Sequence, residues 1–221
     1  MKYRLVVVFD LDDTLYQEID YLKSAYKHIA EQIAPDYCED LYAKMFKLWS
    51  QGDDVFANIE LLYPNETKPR LLNTYRTHMP NISIEPSIFE MLIEFKNKGY
   101  VLGIVTDGRA ETQTNKIEAL GLDTLIDKSN IYISEATGFT KPNPFSFVEF
   151  ERRFPNCSYY YIGDNVTKDF LAANTLGWTT IGLKDSGNNI HKHPDKLGEE
   201  FEPKIWIDDL RELNSIINKN E

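Results

Sequence analysis

The chain has 221 residues, 42% of them hydrophobic, enough to bury one large core or a core domain with a smaller companion. This composition excludes a collagen-like chain, a coiled coil and a disordered tail. With 24 Lys and Arg against 35 Asp and Glu the formal charge is −11, which argues against non-specific binding to nucleic acid or an anionic membrane. An anionic small molecule stays open, because a bound cation can reverse the field locally.

The first apolar run, Leu5–Phe9, is too short for a membrane span and runs straight into Asp10. The two cysteines, Cys38 and Cys157, are far apart and read as free thiols. Together these predict a cytoplasmic protein with no membrane partner.

Leu5–Phe9 reads as a strand buried on both faces, since it lacks alternation. No strand pattern follows until Met79. Helical patterns cover Ile19–Ala34, Asp36–Trp49, Val55–Leu62 and Thr67–Met79, punctuated by Pro35, Gly52, Pro64 and Pro80. A stretch of this length is no simple crossover, and it predicts a helical domain over residues 18–80 inserted into a core made of 1–17 and 81–221.

Beyond it, helices and strands alternate. The pattern predicts a helix at Ser87–Lys98, a strand at Tyr100–Val105, a helix at Glu111–Leu120 closed by Gly121, and a strand at Ile131–Ile133. It continues with a helix at Phe145–Arg153, a strand at Tyr159–Ile162, a helix at Lys168–Leu176 and a strand at Thr179–Leu183. A loop-like tract, Gly182–Phe201, suggests no function, and Ile205–Ile207 and Leu210–Asn218 close the chain. Alternation of this kind predicts an α/β fold: a Rossmann-like parallel sheet with helices on both faces, plus a small all-helical cap.

In an open parallel sheet, ligands bind outside the carboxyl ends of the strands. Polar residues concentrate at those ends: Asp10-Leu11-Asp12-Asp13-Thr14, Thr106-Asp107-Gly108, and Gly163-Asp164 with Asp169 beyond. Asp10 and Asp12, two apart, point to the same side in extended geometry, and Asp13 takes a turn or cap role. Thr140-Lys141-Pro142 precedes a helix. Converging carboxylates need a hard cation or a shared proton, and oxygen-only ligation suits Mg²⁺. A cation with Lys141 would attract a phosphate, one carboxylate can attack phosphorus, and a second can move a proton.

These four stretches, in this order, resemble the motifs of the haloacid dehalogenase superfamily, and within it the phosphatases. The resemblance implies that Asp10 is the nucleophile and a Mg²⁺ ligand. Asp12 would be the general acid and base, with its backbone carbonyl on the metal. Thr106 would bind a phosphoryl oxygen and Lys141 would hold Asp10 and the phosphate. Asp164 completes the metal site, with Asp169 direct, water-mediated or paired to Lys141. Backbone N–H groups at Leu11, Asp107 and Gly108 would cradle the phosphoryl group. The insert resembles the family's cap. Thr106-Asp107-Gly108-Arg109 departs from the commoner Thr-Asn-Gly or Ser-Asn-Gly, and Arg109 is either a substrate contact or a surface residue. This stretch and Gly138-Phe139-Thr140-Lys141-Pro142 resemble nucleotidase-like members.

The reaction expected is Mg²⁺-dependent hydrolysis of a small phosphate ester, a nucleotide or sugar phosphate, by a monomer or homodimer. A halide leaves without a proton, so an acid at Asp12 favours phosphate ester cleavage over dehalogenation. A phosphomutase is the alternative. A phospho-accepting receiver domain is shorter and carries its acceptor on a later strand, and a non-catalytic relative would have lost a motif. Tyr16, near the hinge of the insert, is the residue to watch, ahead of Lys44, Lys47 and Arg70 within it. His191 and His193 read as solvated.

Overall fold

The computed structural model describes residues 5–191 and 197–218. Six parallel strands form one sheet in the order β3-β2-β1-β4-β5-β6. They are β1 (Leu5–Phe9), β2 (Val101–Thr106), β3 (Ile131–Ile133), β4 (Ser158–Gly163), β5 (Thr179–Leu183) and β6 (Ile205–Ile207). All five residues of β1 are buried, because it lies between β2 and β4 with helices on both sides. Leu5, Val7 and Phe9 face one core, shared with Ile88, Leu92 and Phe95. Val6 and Val8 face the other, shared with Phe147, Phe150 and Phe170. Each such side chain contributes about 1.5–3 kcal/mol by leaving water. The α/β sandwich expected from the sequence is the one observed.

Four α-helices follow β1 and pack together: α1 (Glu18–Ile33), α2 (Cys38–Ser50), α3 (Val55–Leu62) and α4 (Lys68–Thr77). They share an apolar cluster of their own, built on Leu22, Tyr26, Ile29, Leu41, Met45, Ile59 and Leu71. Asp54 caps α3 by accepting the Ala57 N–H, and Thr67 caps α4. The chain returns to the core past His78, which is buried with Nδ1 2.9 Å from the Tyr75 carbonyl.

The core helices are α5 (Pro86–Asn97), α6 (Ala110–Ala119), the short α7 (Ser134–Thr137), α8 (Phe145–Arg153), α9 (Phe170–Thr175) and α10 (Leu213–Asn218). β2 runs one residue further than the sequence suggests, so Thr106 is its last residue. α9 starts at Phe170, not Lys168, because the preceding loop folds onto Asp169, whose Oδ2 accepts the Asn165 N–H at 2.8 Å. α10 is preceded by a single 3-10 turn, Leu210–Glu212, closed by a capping box between Asp209 and Glu212. None of the described helices is long and apolar enough to cross a membrane.

Candidate active site

Parallel strands end together, so one rim of the sheet collects their C-terminal residues. Asp10 follows β1, Thr106 ends β2 and Asp164 follows β4. Asp10, Asp164 and Asp169 each present a carboxylate oxygen within 4.8 Å of the others. Lys141 enters from the loop before α8. Its Nζ lies 2.5 Å from Asp10 Oδ1, 2.6 Å from Asp169 Oδ1 and 3.1 Å from the Tyr161 hydroxyl. Of the pairings the sequence left open for Asp169, the structure shows the one to Lys141. Asp169 packs so closely under β4 that a Cβ at position 163 would meet its Oδ2 at 2.5 Å, which is why glycine precedes Asp164.

Burial pushes the Asp10 carboxyl well up, and Asp169 and Asp164 add to this against the pull of Lys141. Burial alone would lower the Lys141 ammonium, but Asp10 and Asp169 outweigh it and hold it charged. Three carboxylates against one ammonium in a low-dielectric site leave a deficit of positive charge. The donor set is all oxygen, which suits a hard cation such as Mg²⁺, and Asp10, Asp164 and Asp169 are the side chains that would hold it.

Asp12 stands apart from this cluster. Its Oδ1 accepts from the Tyr16 hydroxyl at 2.5 Å and from Lys116 Nζ at 2.7 Å, and its Oδ2 accepts from Gln113 Nε2 at 2.8 Å. Burial raises its carboxyl, but Lys116 and these hydrogen bonds win and hold it below the usual range. The same Gln113 amide donates to Thr106 Oγ1 at 2.6 Å. Tyr16 therefore touches the site, whereas Lys44, Lys47 and Arg70 are exposed on the helical insert.

Asp13 has a φ of 54° and accepts the Glu18 N–H at 2.8 Å, which starts α1. Burial pushes its carboxyl up to about 7 against that hydrogen bond, with Glu18, Asp164 and Asp12 adding to the rise. Folded Asp13 thus keeps a proton that the unfolded chain releases between about pH 4 and pH 7, so its contribution to stability falls as pH rises through that window. Asparagine tolerates the backbone and can accept the same N–H. In chelator at pH 7.5, Asp13→Asn should melt about 2–4 °C higher than wild type, the shift about 1 kcal/mol gives. The gain should shrink toward pH 4, and a pH-independent difference between the two melting curves would reject this account.

A cavity of about 130 Å³ opens over these groups, lined by Asp10, Asp12, Asp13, Glu18, Thr106, Asp107, Asp164, Asn165, Lys168 and His191. Asp107 Oδ1 accepts the Lys141 N–H at 3.1 Å, fixing the lysine's loop. The Gly108 N–H donates to Ser134 Oγ at 2.9 Å, not into the cavity. The Leu11 side chain is fully buried. Arg109 is exposed and borders a separate groove with Arg76 and Glu135, so it is not brought to the cavity.

Several residues join the site without having been singled out from sequence. Tyr161, Gln113 and Lys116 are three. Asn189, in the loop after β5, is a fourth: its Nδ2 donates to Asp164 Oδ2 at 2.9 Å. His191, in the same loop, stays exposed as the sequence suggests, with Nε2 3.3 Å from Glu18 Oε2 at the edge of the cavity; His193 lies outside the described residues.

A parallel sheet bearing a strand-end aspartate, a buried lysine and a three-carboxylate rim defines a hydrolase of the aspartate-nucleophile, phosphatase type. The model of the haloacid dehalogenase-like hydrolases matches residues 7–183, and the chain belongs to that family. It is similar to the glyceraldehyde 3-phosphate phosphatase of Methanopyrus kandleri, 26% identical over 96% of this chain and 97% of that one. It is also similar to the phosphoglycolate phosphatase of Pasteurella multocida, 26% identical over 91% and 97%. Among solved structures, the HAD hydrolase YfnB of Bacillus subtilis, bound to magnesium, superposes with a TM-score of 0.62 at 21% identity, covering 99% of this chain and all of that one.

Proposed function

We propose that the chain is a Mg²⁺-dependent phosphate monoester hydrolase acting on a small sugar phosphate of triose size through an aspartyl phosphate on Asp10. The observation that carries this reading is the contact of Asp10 with Lys141 inside the three-carboxylate rim, next to a separately held Asp12. A phosphate dianion beside Asp12 offsets the pull of Lys116 and favours the protonated carboxyl. The Asp10 carboxylate attacks phosphorus and the bond to the leaving oxygen breaks as Asp12 gives that oxygen its proton. Asp12 then takes a proton from the water that attacks the aspartyl phosphate, and phosphate leaves Asp10. Thr106 and Lys141 hold the phosphoryl oxygens. Asp10, Asp164 and Asp169 would hold Mg²⁺, which would supply the positive charge that this crowd of oxygens lacks.

Size supports a small substrate. The cavity of about 130 Å³ is below the range of about 300–1,000 Å³ usual for ligand pockets, so a phosphate with a few carbons fits better than a nucleotide. The named substrates of the two phosphatase relatives are of that size. Arg109 and Phe139, in the stretches that resemble nucleotidases, are exposed away from the cavity. In this reading residues 18–80 are the cap, residues 1–17 and 81–221 the catalytic core, and the protein is cytoplasmic.

The test is phosphate release from glyceraldehyde 3-phosphate, phosphoglycolate, hexose phosphates, nucleoside monophosphates and an aryl phosphate. Release should be highest on the triose phosphate, vanish in chelator and return with Mg²⁺. Activity that survives in a chelated, metal-checked sample would reject the metal, and nucleotides as the best substrates would reject the size argument. Isomerisation of a hexose phosphate without release would make the enzyme a mutase.

A further inference from the structure

Lysine is almost never fully buried unless it is paired. Lys116, in the last turn of α6, is 3% exposed and does not line the cavity. Its nearest carboxylate is Asp12, at 2.7 Å. It also lies 4.4 Å from the centroid of the Tyr21 ring and 3.9 Å from Glu18 Oε1, both on α1, the first helix of the insert. One turn earlier on α6, Gln113 is 1% exposed and binds the other Asp12 oxygen. The Asp12 carboxylate is thus gripped at both oxygens by one core helix, and the ammonium that grips it also rests on the insert.

We infer that Lys116 is the positioning residue for Asp12, aiming its carboxylate at the leaving oxygen and linking that aim to the seating of α1 through Tyr21 and Glu18. The inference rests on the reading of Asp12 as the proton donor and acceptor. Lys116 touches no reacting atom. It acts by removing the rotational freedom of Asp12, and misplacing a reacting group by about 1 Å can cost roughly 100-fold in rate.

The experiment compares an alkyl phosphate with 4-nitrophenyl phosphate. An alkoxide needs a proton to leave, whereas nitrophenolate leaves as the anion once Asp10 has attacked phosphorus. Asp12 is still needed afterwards, to take a proton from the attacking water. Lys116→Met keeps the apolar stem and should lower kcat on the alkyl phosphate roughly 100-fold with KM changed by less than about 3-fold. On nitrophenyl phosphate the same variant should release one equivalent of nitrophenolate in a rapid burst and then turn over slowly. Lys116→Arg should recover most of the alkyl phosphate rate, because a cation again reaches Asp12. Equal losses on the two substrates without a burst, or an arginine variant no better than the methionine one, would overturn the inference. If Lys116→Met lacks a cooperative melt, Lys116→Gln is judged by the same substrate split and burst. Asp12→Asn separates the two levels. Absence of the burst in that variant removes the reading of Asp12, whereas a burst there and none in the Lys116 variants removes only the role of Lys116.

Discussion

Asp10→Asn will fold and will not turn over. An amide of the same shape has no charge and no nucleophilic oxygen for phosphorus, so kcat should fall by on the order of 10⁴-fold or more. The fold should survive for reasons visible in the site. Lys141 keeps Asp169 at 2.6 Å and Tyr161 at 3.1 Å. Burial already pushes the Asp10 carboxyl well up, so without a cation its folded form is partly neutral and asparagine mimics it. In chelator the melting temperature should therefore stay within about 4 °C of wild type, about 1 kcal/mol in a chain of this size. Rapid acid quench should trap an acyl phosphate on the wild type and none on the variant. Substantial Mg²⁺-dependent turnover by purified Asp10→Asn would remove Asp10 as the nucleophile.

The parts of this site that sequence reveals are those tied to strand ends. Asp10, Thr106 and Asp164 follow apolar runs that can only be buried parallel strands, and topology then brings them to one rim. What stayed hidden came from elements whose polar residues look ordinary. Gln113, Lys116 and Ile117 on one face of α6, with Leu120 at its C-cap, recur at helical spacing, and all four are buried. Two polar residues on the inward stripe of an amphipathic helix were a usable signal, masked by the general tolerance of helices for lysine and glutamine. Tyr161 gave no such signal, because a tyrosine in a buried strand reads as packing until its hydroxyl is seen against Lys141. Asn189 and His191 reach the site from a loop whose path no periodicity reports. α9 starts later than its sequence pattern suggests for a related reason: Lys168 and Asp169 suit a helical turn, but the Asn165 N–H captures the Asp169 carboxylate.

The role of Lys141 has a thermodynamic consequence as large as its chemical one. Its side chain is 1% exposed and lies between carboxylates that are 7% and fully buried. Breaking a buried pair by removing one partner leaves uncompensated charge, at a cost of about 3–5 kcal/mol. Lys141→Met should accordingly melt roughly 6–20 °C below wild type in chelator at neutral pH. Without the ammonium, the Asp10 carboxyl loses the pull that opposes its burial and is pushed further up, so it takes a proton as pH falls and the deficit should narrow toward pH 5. Mg²⁺ answers the same need from the other side. At about 100 times its dissociation constant it adds about 2.7 kcal/mol, and at one fixed Mg²⁺ concentration the gain should exceed that of wild type, whose lysine already meets part of the charge and so weakens cation binding. Catalysis should not return with stability, because the cation restores charge to the carboxylates but places no ammonium on the phosphoryl oxygens. A variant that melts like wild type in chelator, or that gains no more from Mg²⁺ than wild type does, would show that Lys141 is not what balances the rim.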